Sequence, residues 1–567
     1  MATPLYPGVT IQEIDASVTI DSAISSLPAF VIRAQKGPIN VPTLIANEKD
    51  LVDIFGEPFS GDVASGVSFN NLKDWFSVSN FLSYVNGAYV VRAEVSDGAA
   101  AYNAAIEAGA SVVTKNLIQV FDGTDFTDVS EFTASRLGVF AKNPGYWGND
   151  LSVGIYVAGV TDTLDNKGES GSAWNTWKEN VGQEYADFKT FDNFPIDGEA
   201  AVIVYVDNVV TERFIVSLDT NGKAEDGSNN YIDDVLKGQS KYVSSYANAS
   251  FDTISLASFT KTALAYGAIV TGSLDDGDVT AALDLFSNPD EYQIDFIVDG
   301  GFNTKTVQEK CSSISASRKD CLAIIGARTE DISNKTVSAA TKAVIAYKKT
   351  LSISGDAATY CAFFGNIKKM YNKYADKYFW LSCSSDAAGL FAVTDIKLWP
   401  WYATAGASRG VLRNVTALGF NPDDTYVGQM YQTNINTIKF ISGVGNAING
   451  NRTMQAKPSA FRDINVRRLF TYCEQAILDT SKFYLFEFND ALTRSNLETT
   501  VVNFMNTVKA NRGVYNFMVV CDETNNTSDV IDNNELYLDV LIKPSRAIDN
   551  ITVRFTVTRT DTDFTEI

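Results

Sequence analysis

The chain has 567 residues, enough for roughly three or four domains of about 150 residues each, with 45% hydrophobic residues, 20% charged residues and a formal net charge of −22. That balance suits a globular protein with substantial cores, and its acidity argues against a general nucleic-acid binder, whose phosphate contacts need clustered lysine and arginine. Histidine is absent, which removes Ser-His-Asp triads, Cys-His dyads, His-ligated zinc and imidazole acid–base chemistry in one step, while carboxylate, lysine or tyrosine chemistry stays open.

Residues 6–14, YPGVTIQEI, open with a Pro7-Gly8 turn, and Val9 and Ile11 alternate with Thr10 and Gln12 as in a short strand that reaches Ile14. An apolar strand at 29–32 follows, then a Gly37-Pro38 break and a second short strand. In residues 48–58, Leu51, Ile54 and Phe55 fall at helical spacing before the Gly56 and Pro58 stop. A helical stretch at 75–85 leads into a strand at 88–95, and this alternation predicts an α/β sandwich. Composition changes at Asp97. Residues 97–241 hold 23 acidic and 10 basic side chains, and short β-like runs lie between Gly- and Asn-rich turns. The bland reading of that region is a solvated surface; the sharper one is that it faces water while a more basic part faces an acidic partner. The α/β pattern resumes with a helix at 278–286 and buried-strand candidates at 295–300 and 321–326. The fold class is therefore α+β or α/β and multidomain. The expected units are an α/β domain split into 21–96 and 250–395, a β-rich acidic insertion at 97–249 and a C-terminal domain at 396–545, with terminal segments at 1–20 and 546–567.

Val466, Leu469, Phe470, Cys473 and Ile477 form one apolar helical face, and Leu497, Val501, Phe504 and Val508 form another, with Gly513 expected as its cap. Strands are predicted at 514–521 and 536–542, before a Lys543-Pro544 break. Beyond it Ile551, Val553, Phe555 and Val557 alternate with Thr552, Arg554, Thr556 and Thr558. Such a strand either folds back onto its own sheet or adds to the sheet edge of another subunit, and the pattern leaves both open.

The segments KPSAFRDINVRRLF (457–470), FEFNDALTR (486–494), ANRGVYNFMVVCDETNNTSDVIDNNE (510–535) and LIKPSRAIDNITVRFTVTRT (541–560) resemble, in this order, the C-terminal domain of contractile-tail sheath proteins, particularly those of T-even-type bacteriophages. Residues 6–14, 29–45, 55–58, 142–149, 398–410 and 443–454 look like further sheath-protein segments in the expected order. Thr404 stands where the family pattern suggests proline, and 161–189 aligns with nothing. The resemblance implies a non-enzymatic subunit without cofactor or metal. It would be a helical homo-oligomer around a tail tube protein, with baseplate and tail terminator proteins as further partners, assembled in the host cytoplasm and carried in the virion. It also implies that Val9, Ile11 and Ile14 at one end, and Ile551, Val553, Phe555 and Val557 at the other, are arm strands that complete sheets in neighbouring subunits. Lys457, Arg462, Arg467, Arg468, Lys509 and Arg512 become tube-facing candidates. The alternative for each is an intrachain ion pair or a capping role.

Other chemistry is weaker. GVGNAING departs from GxGxxG, no GxxxxGK[ST] loop occurs, and the Asp-rich 217–227 and 274–280 lack EF-hand spacing. Six cysteines form no CxxC pair and no signal peptide opens the chain, so buried thiols in a reducing compartment are expected. No run approaches the ~18 apolar residues of a membrane span. The alternatives carried forward are the sheath of a bacterial contractile injection system and, from another class, a carboxylate-based hydrolase, which needs acidic residues converging in a pocket.

Overall fold

In the computed structural model, the structure describes residues 26–63, 67–93, 106–107, 137–143, 146–157, 195, 198–224, 226–247, 260–263, 275–549 and 552. Pro28–Ile32, Phe296–Val298, Leu322–Gly326 and Cys361–Phe364 are short apolar runs buried at every position. Continuous runs of this kind suit parallel strands covered on both faces. With Ala88–Arg92 and Thr43–Ile45 they form one six-stranded sheet, in the spatial order 361–364, 322–326, 296–298, 28–32, 88–92, 43–45. All neighbours pair in parallel except the last. Alternation along Pro28–Ile32 splits the core. Phe30 and Ile32 pack with Trp75 and Phe81 of helix Leu72–Leu82 and with Phe391 of helix Ser384–Lys397. Ala29 and Val31 face the other way, towards Val307 and Cys311 of helix Lys305–Arg318 and Val344 of helix Val337–Thr350.

Strands 88–92 and 296–298 flank 28–32 on either side although some two hundred residues of sequence lie between them. That intervening stretch holds its own unit. Val209–Ser217, Glu199–Val206, Leu151–Val157 and Thr260–Ala263 pair antiparallel in that order, and Val243–Ala247 and Leu137–Ala141 belong to a second small sheet. Leu151, Val202, Val204, Val216 and Leu236 close a core of their own. Thr260 pairs with Ile155, so this sheet runs past Ala249, the boundary expected from composition. Its last strand reads Thr-Lys-Thr-Ala and carries no apolar run to announce it.

The expected boundary at 396 also moves, because helix Ser384–Lys397 runs through it. Leu412, Ile438, Ile448 and Ile464 then join the α/β core. The separate C-terminal unit is smaller: helices Ile464–Ser481 and Ala491–Ala510 over the antiparallel pair Val514–Val520 and Asp539–Pro544. The predicted face Leu497, Val501, Phe504, Val508 is buried with Leu469, Cys473 and Trp401. Leu469 lies beside Gly513, Tyr472 against Phe504 at 6.0 Å between ring centroids, and the Tyr484 hydroxyl 3.2 Å from Thr500. The two helices therefore run antiparallel as a hairpin. The second helix ends differently from expectation. Arg512 (φ 66°) takes the left-handed position, and Gly513 is there because a Cβ would meet Val508 at 2.6 Å and Trp401 at 3.1 Å. All six cysteines are buried and free.

Candidate assembly interface

Helix Ile464–Ser481 is buried continuously from Ile464 to Leu469, because one side packs in the C-terminal core and the other against the α/β domain. Arg467 and Arg468 therefore do not project towards another protein. The Arg468 guanidinium donates to the buried carboxylate of Asp395 on helix Ser384–Lys397, and lies over Phe296 (5.1 Å) and Phe391 (5.0 Å). Arg467 donates to Glu474 at 2.8 Å and stacks on Tyr360 (4.3 Å) and Phe461 (4.5 Å). These two tube-facing candidates are corrected to intrachain contacts. Period alone marked the side opposite the apolar stripe as exposed; it could not show a second packed surface.

The other candidates lie elsewhere. Lys457 is exposed on a loop, and half-buried Arg462 donates to Asn434 at 3.1 Å. Lys509 and Arg512 enter the wall of a groove of about 1070 Å³ between the α/β and C-terminal units. Arg409, Lys439 and Arg546 join them from three other segments, a convergence that sequence reading missed because nothing local links those positions. Trp401 anchors the groove by donating from its indole N–H to Asn511 O at 3.0 Å. Asp424 pairs with Lys439 at 3.0 Å. Asp549 accepts from Arg452 at 2.9 Å and from the Tyr431 hydroxyl at 2.7 Å, so the main chain runs along the groove wall up to residue 549. Burial, with the bond to Asp549, pushes the Tyr431 phenol up to about 12. The predicted arm residues Val9, Ile11, Ile14, Ile551, Val553, Phe555 and Val557 lie outside the described residues.

Strands 514–520 and 539–544 pair only with each other among the described residues. Their inner face, Phe517, Val519, Val540 and Ile542, packs into the C-terminal core, while Met518 and Leu541 are exposed. Two strands alone form a marginal sheet, and among the described residues no third strand covers the outer edge of either.

The buried carboxylates do not converge in a pocket. Asp299 accepts from Ser384 (2.6 Å), Asn303 (2.7 Å), Gln308 (2.8 Å) and the Gly326 N–H (2.8 Å), and its burial pushes the carboxyl above the usual range. Asp386 accepts from Lys368 at 2.9 Å and from Tyr84 at 2.8 Å, with Asn80 also bound to Lys368. Both sites are closed off inside the α/β core and join its layers. Among the described residues no group of three potential ligands is placed to hold a metal ion.

Residues 456–558 match the phage tail sheath C-terminal domain. The chain is also 31% identical over 450 residues to the tail sheath protein of Vibrio phage KVP40, covering 76% of this chain and 62% of that one. It is 31% identical over 447 residues to that of Enterobacteria phage T4, covering 76% and 66%. The chain belongs to the tail sheath family. It spans a little under two thirds of the length of these relatives, both of them named as tail sheath proteins. Two solved sheath structures share its fold: the sheath tail protein of Listeria innocua (TM-score 0.53, 10% identity, 93% of this chain and 97% of that one) and the anti-feeding prophage helical sheath in its contracted state (TM-score 0.51, 14% identity, 98% and 99%).

Proposed function

We propose that this protein is the structural subunit of a contractile tail sheath. Copies polymerise helically around a tail tube and, on a trigger from the baseplate, contract to drive the tube through the host envelope. The observation that carries the reading is the C-terminal sheath domain: a two-stranded sheet whose edges no described strand covers, and a chain that runs along the groove wall into an alternating apolar sequence. Residues 9–14 and 551–557 act as arms that complete such sheets in neighbouring copies, where backbone bonds give affinity and alternate side chains set register. The work of contraction comes from a population shift between two packings of folded subunits. The identity to phage sheaths favours a phage virion, assembled in the host cytoplasm, over a bacterial injection device. The tube protein, the baseplate and a terminator are its partners, and exposed Lys457 keeps a place on the tube-facing surface.

The test is electron microscopy of the purified full chain and of a chain truncated after Asn550. The cut keeps Asp549, which is bonded to Arg452 and Tyr431. The full chain should form hollow cylinders, while the truncated chain should stay folded and monodisperse. Normal cylinders from the truncated chain would remove the arm from assembly, and a compact monomeric full chain would remove the sheath reading.

A further inference from the structure

The loop joining the C-terminal helices, residues 482–490, reads KFYLFEFND and carries an apolar surface that none of the described residues covers. Phe483, Leu485, Phe486 and Phe488 are exposed, with Leu492 at the start of the next helix; Phe486 is at 105% and Phe488 at 85% of full exposure. Isolated exposed apolar residues are ordinary, but five large ones within ten positions mark a contact surface. The loop is held in shape by specific bonds. Tyr484 turns inward to Thr500, Asn489 donates to Glu535 O at 2.8 Å, Arg494 donates to the Asn489 side chain at 2.9 Å, and Asp490 caps the following helix by accepting from Thr493 N at 2.8 Å. Phe486 sits at φ 69°, a left-handed conformation that costs a bulky residue free energy and that only its surroundings hold in place. Glu487, Asp490 and Glu535 flank this tip with negative charge.

The groove has the opposite character. Its acidic members are already matched, Asp424 by Lys439 and Asp549 by Arg452. Arg409 and Lys509 donate to neutral oxygens of Ala403 and Asn516, and among the described residues neither Arg512 nor Arg546 forms an ion pair. Apolar wall is supplied by Tyr402, Val427 and Tyr515. Tip and groove are also far apart. Asn465, at the start of the first helix, and Lys509 and Arg512, at the end of the second, line the groove, whereas the tip joins the opposite ends. An 18-residue helix separates them by about 27 Å.

We propose that the 482–490 tip of one subunit docks into the Lys509–Arg512 groove of a second copy of this chain. Tip and groove are different surfaces at opposite ends of one rod, so the contact is heterologous and adds copies head to tail in an open helix. The contact rests on the polymerisation proposed above and is distinct from the arms. Lys509 and Arg512 are then lattice residues that meet Glu487 and Asp490, and they do not face the tube.

The experiment uses the full chain with circular dichroism to verify folding, which the exposed sites should not disturb. Phe486→Ser with Phe488→Ser should raise the protein concentration needed for cylinders at least about tenfold, as expected when two aromatic anchors are lost. Arg512→Glu and Glu487→Arg should each weaken assembly, and their combination should restore it. Phe486→Cys paired with Val427→Cys should give an oxidative ladder of cross-linked oligomers, against the background of six buried native thiols. Wild-type assembly by the Ser variant, or no rescue and no ladder, overturns the contact while leaving the sheath reading intact. A cross-link between the Phe486→Cys variant and tube protein would give the tip to the tube instead, and a full chain that never assembles removes both readings.

Discussion

Replacing Arg468 with methionine tests whether the C-terminal helix is locked to the α/β domain by a buried ion pair. Arg468 is 7% exposed and Asp395 is 2% exposed. Without the guanidinium, Asp395 keeps only the Ser26 hydroxyl at 3.1 Å, against Phe391 and Phe296 nearby. Breaking one side of such a pair costs about 3–5 kcal/mol. Two lost cation–π contacts add to that, up to about 2 kcal/mol when desolvated, and the methionine's own packing offsets part of the sum. Burial already holds the Asp395 carboxyl above its ordinary range despite Arg468, and removing the cation raises it further. A carboxyl raised in the folded state contributes stability at low pH that is lost as pH rises through its folded pKa. The deficit of the variant should therefore be smaller at pH 5 than at pH 8. Urea midpoints at both pH values measure it, and adding Asp395→Leu should recover most of the loss. A deficit under about 1 kcal/mol at pH 8, one independent of pH, or a double variant no better than the single one would refute the reasoning.

Asp299→Asn should shift the balance with pH in the opposite direction, because the variant lacks the raised carboxyl. The wild-type carboxyl is raised by burial, so its contribution fades as pH rises from about 4, near the ordinary carboxylate value. Melting scans should show the Asn variant gaining on wild type towards neutral pH; a constant or opposite difference contradicts the burial argument. Gly389→Ala would place a methyl 2.6–2.9 Å from Tyr84, whose hydroxyl is fixed by Asp386 at 2.8 Å and by the Arg413 N–H at 2.7 Å. Overpacking of about 1–3 kcal/mol should outweigh the helix-propensity gain of about 1 kcal/mol, and an unchanged or raised melting temperature would show that Tyr84 can yield. Replacing residues 97–263 with a Gly-Ser linker should leave the remaining chain folded, since that unit has its own core and loop closure depends weakly on length; insoluble or unfolded product would show a shared core.

Helices with one buried face and short strands buried on both were legible in the sequence. Leu497, Val501, Phe504 and Val508 lie together in the core as their spacing required, and the short apolar runs at 321–326 and 295–300 became central parallel strands. Arg467 and Arg468 failed because their helix is packed on two sides, a property of its neighbours and absent from its own period. The groove was invisible for a related reason: Arg409, Lys439, Arg512 and Arg546 are distant in sequence and meet only after their segments fold together. Glycine at 513 signalled a helix end correctly but for another cause, close approach to Val508 and Trp401, while Arg512 adopts the left-handed turn.

The Arg468–Asp395 pair also has a mechanical meaning. Helices that meet only through apolar side chains can shift past one another by a turn and find a second acceptable packing. A buried ion pair admits one register, since any slip leaves two charges stranded without water. Load applied at the far end of the helix hairpin therefore cannot be absorbed by creep at its root. It passes from Arg468 into helix Ser384–Lys397 and on to the parallel sheet, so the hairpin acts as a lever arm fixed to its block, and in the sheath proposed above deformation under load falls to the segments proposed to join the copies.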